Sequence, residues 1–193
     1  IVSEVDLRLL IEAASNIGAV MLLDEAYYPF YDKSALKWIS EYRNLIVVRS
    51  TGKAWGLAGF RIGYAAATSD LAAILHKVKP MYETDGISVL MFERMLDFED
   101  EMLKSVARLV NGKNHFLDEM EALGFETLRG YGNYLHVAFA ENAVNIHSKL
   151  DKQVYYRNDF NHPCLKGYSR FSATTIDLFD PVIESIRSAI VSF

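Results

Sequence analysis

The sequence is poor in cysteine and in long apolar runs, and each shortage excludes a class of protein. The single cysteine, Cys164, excludes an internal disulfide and suits a reducing compartment. The apolar run at residues 17–23 is far shorter than the roughly 20 residues that a membrane-spanning helix needs. Charged residues within the first ten positions argue against a signal peptide. We therefore expect a cytoplasmic protein that makes no membrane contact.

Clustered basic residues are also lacking. The formal net charge is −5 and no run of five or six lysines and arginines occurs, which argues against a nucleic-acid partner. The five histidines and the one cysteine show no metal-ligand spacing, so we predict no metal site. An apolar fraction of 51% with 23% charged residues is typical of a soluble globular protein.

Short apolar runs alternate with helical patterns in the first 80 residues. Residues 19–23 and 45–48 read AVMLL and LIVV, and such continuous runs are typical of strands buried on both faces. Residues 61–67 form a third strand candidate, and helical patterns cover residues 2–16 and 69–77. This alternation predicts an α/β domain over residues 1–80, with a mainly parallel sheet flanked by helices.

The pattern changes after Lys79-Pro80. Helices are predicted at residues 87–97, 98–123, 143–150 and 180–191, and strands at residues 126–128, 133–139, 154–157 and 169–173. In the last helix, Asp180 is placed to cap the N-terminus and Pro181 to stand in the first turn. We therefore predict linking helices and a small α+β domain over residues 81–193.

Asp24 directly follows the first apolar run, so we expect it at the carboxyl end of a strand, where open α/β sheets bind ligands. A simpler interpretation is that Asp24 only caps the next turn. Four apolar residues followed by Asp-Glu also resemble the Walker B segment of a P-loop ATPase. That remote alternative requires G-x-x-x-x-G-K-[ST], but Val47 and Ala54 occupy two of its positions, so it needs a Walker A loop upstream.

Lys53 follows the second apolar run after a short turn, so it too is expected at the carboxyl edge of the sheet. A partly desolvated lysine is a nucleophile toward an aldehyde, although a surface lysine in a glycine loop is the commoner case. Ser50 and Arg61 suit a phosphate dianion. Together with the carboxylate of Asp24 and the phenol of Tyr27, these groups are what pyridoxal 5'-phosphate requires: a Schiff-base lysine, a partner for the pyridine nitrogen, a donor to the 3-oxygen and a phosphate site.

The segments DEAY, at residues 24–27, and S-x-x-K-x-x-x-L-A-G-x-R-x-G-Y, at residues 50–64, resemble the class I and II aminotransferases of fold type I, in particular the histidinol-phosphate aminotransferase-like branch. The resemblance implies that Asp24 pairs with the pyridine nitrogen, Tyr27 contacts the 3-oxygen and Lys53 carries the cofactor. It also implies that Ser50 and Arg61 bind the phosphate. That branch usually has serine immediately before the lysine, and here the residue is Gly52.

The segment at residues 168–174, YSRFSAT, resembles the closing strand of the family. There an arginine holds the α-carboxylate of the substrate, and Arg170 is the matching residue. Arg157 matches an arginine that reads the distal group of the substrate, so it favours a phosphate or another acidic tail, or else it is a solvated strand end. Glu83 stands where the branch usually has asparagine, which argues against histidinol phosphate itself.

The resemblance implies an enzyme that transfers an amino group between an amino acid and a 2-oxo acid and that acts as a homodimer. Decarboxylation of an amino-acid phosphate remains an alternative, because the same cofactor serves both reactions. The chain matches only the second half of the family and begins at Ile1 rather than methionine. We therefore expect a missing N-terminal half and weak catalysis by this chain alone. A non-catalytic fragment or binding module that keeps the motif is the other hypothesis.

Overall fold

The computed structural model describes residues 2–190. The chain divides into two compact units, Ile1–Met102 and Leu103–Phe193. The domain boundary that the sequence predicts after residue 80 stays a prediction. None of the helices in the described residues is both long and apolar enough to cross a membrane.

The first unit is built on a three-stranded sheet flanked by helices. Its central strand pairs in parallel with one neighbour and antiparallel with the other. In chain order the elements are α1 (Glu4–Asn16), β1 (Met21–Asp24), β2 (Leu45–Ser50), β3 (Gly63–Ala66), α2 (Ser69–Val78) and α3 (Gly86–Met95). The predicted α/β class is confirmed, and all three strand candidates form strands.

The core of the first unit lies against one face of the sheet. Leu45 and Val47 of β2 are buried and pack with Ile11 of α1 and with Trp38. The prediction that the first apolar run is buried on both faces is wrong, because Leu22 of β1 keeps 58% of its surface exposed. The reason is that the core covers only the face of β1 that carries Met21 and Leu23.

The second unit packs helices on an antiparallel sheet in the order β4-β5-β6. Its elements are the C-terminal part of α4 (Glu99–Ala122), β4 (Glu126–Leu128), β5 (Tyr134–Ala138), α5 (Ala143–Leu150), β6 (Tyr168–Ser172) and α6 (Ile176–Ile190). Phe116, Leu135, Phe171 and Ile183 lie in one buried cluster. The predicted α+β character of this part of the chain is confirmed.

Two details of the second unit differ from the predictions. Residues 154–157 form no strand: only Arg157 pairs, in a single bridge to Arg170 of β6, because the chain has just left a turn and Tyr155 projects entirely into solvent. The last helix begins at Ile176, so Asp180 lies inside it. The Oδ1 atom of Asp180 is 2.8 Å from Nε2 of His115 and does not cap the helix. Val191, the predicted end of this helix, lies outside the described residues.

Candidate active site

Asp24 is the last residue of β1, as predicted, and it pairs in register with Val48 of the parallel strand β2. Its carboxylate is exposed, and Oδ1 accepts a hydrogen bond of 2.8 Å from the backbone N–H of Ala26. This local bond is the turn-capping interaction that the simpler interpretation expected. It also fixes the direction of the carboxylate at the carboxyl edge of the sheet.

Lys53 lies three residues beyond the end of β2, in the turn that the sequence predicts. Its side chain is half-buried, and Nζ lies 5.1 Å from the centre of the Tyr27 ring. Tyr27 stands in the turn that follows β1. Because β1 and β2 run parallel, both turns leave the same edge of the sheet, which is the edge where Asp24 ends β1.

Thr51 closes the loop that carries Lys53 and Arg61. Its buried hydroxyl donates to the carbonyl of Ile62 (2.7 Å), and its backbone N–H donates to the same oxygen (3.2 Å). Its own carbonyl accepts from the N–H of Leu57 (3.1 Å). Thr51 is not among the site residues that the sequence predicts. The available signal was a hydroxyl residue directly between Ser50 and the glycine that precedes the lysine.

This closed loop forms a recess of about 180 Å³ beside the end of β2. Gly52 has a specific steric role there, since a Cβ at this position would lie 3.1 Å from Cα of Ala58. Arg61 adopts the left-handed conformation, with φ of 56°. The recess is lined by Ser50, Gly52, Leu57, Ala58, Arg61, Ile62 and Gly63.

The polar groups of the recess suit an anion. The guanidinium of Arg61 is exposed, and its Nη1 donates a long bond of 3.4 Å to the carbonyl of Ala58. No carboxylate among residues 2–190 forms an ion pair with Arg61. Oγ of Ser50 accepts from the N–H of Gly52 at 3.1 Å, and a hydroxyl can donate its own proton at the same time.

Arg157 and Arg170 meet within the second unit. Their backbones exchange two hydrogen bonds, of 3.0 and 2.7 Å, and both side chains are exposed. The guanidinium carbon of Arg157 lies 4.2 Å from the Phe160 ring centre, and that of Arg170 lies 5.6 Å from the Tyr134 ring centre. Like charges directly opposite each other across paired backbones repel. In the part of the chain that the structure describes, neither arginine forms an ion pair with a carboxylate.

His136 of β5 lies opposite Arg170 of β6, and the pKa of its imidazole responds to the charge of that arginine. Burial lowers the pKa of the His136 imidazole, and the charge of Arg170 lowers that pKa further. A nearby anion would relieve this potential.

The structure thus gathers Asp24, Tyr27, Ser50, Lys53 and Arg61 within the first unit, and it pairs Arg157 with Arg170 within the second. Within residues 2–190, no three histidine, cysteine, aspartate or glutamate side chains lie close enough together to hold a metal ion.

Known proteins resemble this chain along nearly its whole length. A histidinol-phosphate aminotransferase from Caldanaerobacter subterraneus is 30% identical over 190 residues, which are 97% of this chain and 52% of that protein. The crystal structure of the histidinol-phosphate aminotransferase from Clostridium acetobutylicum has a TM-score of 0.84 at 16% identity, covering 97% of this chain and 59% of that one. The Sinorhizobium meliloti histidinol-phosphate aminotransferase, whose structure is a complex with pyridoxal-5'-phosphate, has a TM-score of 0.73 at 23% identity, with coverage of 94% and 53%.

The chain spans about half the length of the curated relatives it matches. The family model described as "Aminotransferase class I and II" matches residues 1–186, which is almost the entire chain. The chain therefore belongs to the class I and II aminotransferase family.

Proposed function

We propose that this chain carries the lysine, the phosphate site and the substrate carboxylate site of a pyridoxal-phosphate-dependent aminotransferase. The observation that carries the proposal is the position of Nζ of Lys53 over the Tyr27 ring, at the sheet edge where Asp24 ends β1. The family membership and the pyridoxal phosphate in one structural relative support the same function.

The residues present fit this cofactor. A phosphate group needs a small recess with a cation and polar hydrogens, and the recess beside β2 offers Arg61, Ser50 and closely packed glycine backbone. The carboxylate of Asp24 lies exposed at the same sheet edge. When bound, pyridoxal phosphate supplies a pyridine ring that stores the electron pair released at the α-carbon of the substrate.

Each side chain then has a distinct task. Asp24 would hold a proton on the pyridine nitrogen, and Tyr27 would donate its phenol hydrogen to the 3-oxygen. Ser50 and Arg61 would bind the phosphate. Lys53 would attach the cofactor through Nζ and, once substrate displaces it, would move the α-proton with the same atom.

The second unit would bind the substrate. We assign Arg170 to the α-carboxylate, because a guanidinium fork binds a carboxylate through two parallel hydrogen bonds. Arg157 would bind a distal acidic group, and the repulsion between these two unpaired cations favours an anionic ligand at both. The substrates would be an amino acid with an acidic or phosphorylated tail, such as a relative of histidinol phosphate, and a 2-oxo acid.

We also propose that the working protein is a cytoplasmic homodimer. The exposed free thiol of Cys164 suits a reducing compartment. Apolar side chains on the outer surfaces of the first unit, including Leu9, Leu22 and Leu90, are of the kind that subunit contacts bury.

The test of the cofactor site is an absorbance spectrum of the purified chain after addition of pyridoxal phosphate. Wild type is expected to show a band near roughly 410–430 nm, which reports cofactor bound covalently to lysine. Lys53→Ala should lose the band, whereas Lys33→Ala, which removes an exposed lysine of the same unit, should keep it. A wild-type spectrum without the band, or a band that survives in Lys53→Ala, would contradict the proposal.

The substrate site is tested by adding amino acids to the cofactor-loaded chain. The change in the lysine-linked absorbance band measures their binding. Arg170→Gln removes a charge-assisted fork, so we expect apparent affinity to fall by at least about tenfold. Arg108→Gln removes an exposed arginine of α4 and should leave affinity unchanged. Equal affinity in wild type and Arg170→Gln would remove Arg170 from the proposed site.

A further inference from the structure

A largely buried ion pair adjoins two of the proposed cofactor residues. The guanidinium of Arg49 donates to Oε2 of Glu25 through Nε (3.1 Å) and Nη2 (3.0 Å). The two side chains are only 12% and 9% exposed. Glu25 follows Asp24 in the chain and Arg49 precedes Ser50, so each partner is the immediate neighbour of a proposed cofactor ligand.

The polar groups of the pair have further partners around them. Oε1 of Glu25 accepts from the backbone N–H of Ala35 at 2.7 Å, and Oε2 accepts from the hydroxyl of Ser34 at 2.8 Å. Nη2 of Arg49 also donates to Oγ of Ser34 at 2.7 Å. The guanidinium carbon lies 3.7 Å from the centre of the Tyr28 ring. The pair is therefore a connected network with defined directions.

Burial opposes the charge of Arg49, yet hydrogen bonds to Tyr64 and Glu25 outweigh it and raise the pKa of the guanidinium above its ordinary value. Arg49 is therefore charged at every relevant pH.

The pair and two of the proposed cofactor residues, Asp24 and Ser50, belong to opposite faces of the strand ends. Successive side chains of an extended strand alternate between faces, so the exposed Asp24 and the buried Glu25 point apart. The backbone N–H of Glu25 donates to the carbonyl of Val48 at 2.8 Å, which continues the β1–β2 ladder to this point. Any slip between the two strand ends would move Asp24 relative to Ser50.

Stability alone does not explain this pair. A buried ion pair is commonly replaceable by apolar side chains of similar volume without loss of stability, because desolvation cancels much of the attraction. What apolar side chains lack is direction: the Arg49 fork, Ser34 and the Ala35 N–H together determine one position for the Glu25 carboxylate.

We infer that Glu25 and Arg49 are positioning residues. Their hydrogen bonds fix the carboxyl ends of β1 and β2 relative to each other, and thereby the placement of Asp24 and Ser50. The inference rests on the proposed function for its catalytic meaning. The positioning itself is a property of the cofactor-free chain.

The test is amide hydrogen exchange, measured by NMR without cofactor. The N–H of Ala26 is held by Oδ1 of Asp24 and that of Gly52 by Oγ of Ser50, so both amides report the placement of the proposed ligands. The variant Glu25→Met/Arg49→Met replaces the pair by apolar side chains of similar length. We expect it to unfold near the wild-type denaturant midpoint while both amides exchange about tenfold faster or more.

Arg49→Lys keeps the positive charge but loses the guanidinium that donates two hydrogen bonds to Glu25. Hydrogen exchange of both amides should therefore become about threefold faster. If the double variant does not fold, the exchange rates of Arg49→Lys alone test the positioning role. Arg43→Gln breaks an exposed ion pair with Asp70 in the same unit and should leave both amides unchanged. Unchanged exchange in a folded double variant, or in Arg49→Lys, overturns the inference, and so does equal acceleration at the core amide of Val47.

Pyridoxal phosphate is then added to the same samples. If wild type shows no lysine-linked absorbance band, the proposed function fails, while the exchange rates still decide the positioning role. If wild type shows the band, the double variant should bind the cofactor about tenfold more weakly, in line with its loosened strand ends.

Discussion

Nζ of Lys53 lies 5.1 Å from the centre of the Tyr27 ring, so the lysine and the phenol occupy the same edge of the sheet. Tyr27→Phe keeps the ring and removes the hydroxyl. If the phenol bonds the 3-oxygen of pyridoxal phosphate, this variant should bind the cofactor about fivefold to tenfold more weakly. The lysine-linked absorbance band should persist, because Lys53 is unchanged. Titration with pyridoxal phosphate at that band measures both.

Tyr155→Phe serves as the control for that comparison. Its side chain is fully exposed in the second unit, so removal of its hydroxyl should leave cofactor affinity at the wild-type value. Equal affinities for Tyr27→Phe and wild type would show that the phenol makes no cofactor contact.

Gly63 is required by close packing between β2 and β3. A Cβ at this position would lie 2.8 Å from the carbonyl oxygen of Arg49, closer than atoms in contact normally approach. Gly63→Ala should therefore lower the free energy of unfolding by about 1–3 kcal/mol. Gly59→Ala, where a Cβ meets nothing within 4 Å, should change it by less than about 0.5 kcal/mol. Denaturant titration of both variants tests the steric argument, which fails if the two behave alike.

The carboxyl ends of the strands could be predicted because two local signals coincide there. The run LIVV at residues 45–48 is dense enough in apolar side chains to indicate a core strand, and Leu45 and Val47 are indeed buried. The parallel pairing of β1 with β2 then brings Asp24 and the turn of Lys53 to one edge. Sequence position alone therefore sufficed to predict the neighbourhood of these residues.

Features that depend on long-range pairing could not be predicted in this way. The burial of Arg49 depends on Glu25, 24 residues away, and no local pattern distinguishes a buried arginine from an exposed one. Likewise, α6 starts at Ile176, and Asp180 inside it contacts His115, 65 residues earlier in the chain. A proline preceded by aspartate looks like a helix start in the sequence, and the fold places both inside the helix.

Arg129 should control the acidity of Glu121 in the second unit. Hydrogen bonds from Arg129, and then from Thr127, lower the pKa of the Glu121 carboxyl to about 2. Arg129→Ala should raise that pKa toward the ordinary 4.5, as measured by NMR titration of the side-chain carboxyl. Arg108→Ala, an exposed change on α4, should leave it near 2.

The same contact predicts a pH dependence of stability. Because the pKa of Glu121 is lower in the folded chain, its contribution is complete above the unfolded value of 4.5 and is lost as the pH falls toward 2. The stability difference between wild type and Arg129→Ala should therefore shrink over that interval. A difference that stays constant between pH 6 and pH 2 would show that the bonds to Arg129 do not hold the carboxylate.

Lys113 of α4 is buried, and no carboxylate within residues 2–190 forms an ion pair with it. It is 4% exposed, and Nζ donates to the carbonyls of Gly130 (2.7 Å) and Gly132 (3.1 Å). Burial lowers the pKa of its ammonium below the ordinary 10.5. The folded chain therefore releases this proton at a lower pH than the unfolded chain, and stability rises with pH between the two values.

Lys113→Met lacks this titration. The free energy of unfolding of wild type, minus that of Lys113→Met, should therefore increase as the pH is raised from 7 toward 10.5, while groups common to both chains cancel in the difference. This increase should exceed any change in the same difference measured with Lys149→Met, which removes an exposed lysine of α5. Denaturant titrations across this pH range measure both. If the difference for Lys113 stays flat or falls as the pH rises, the ammonium remains hydrated and its pKa is not lowered on folding.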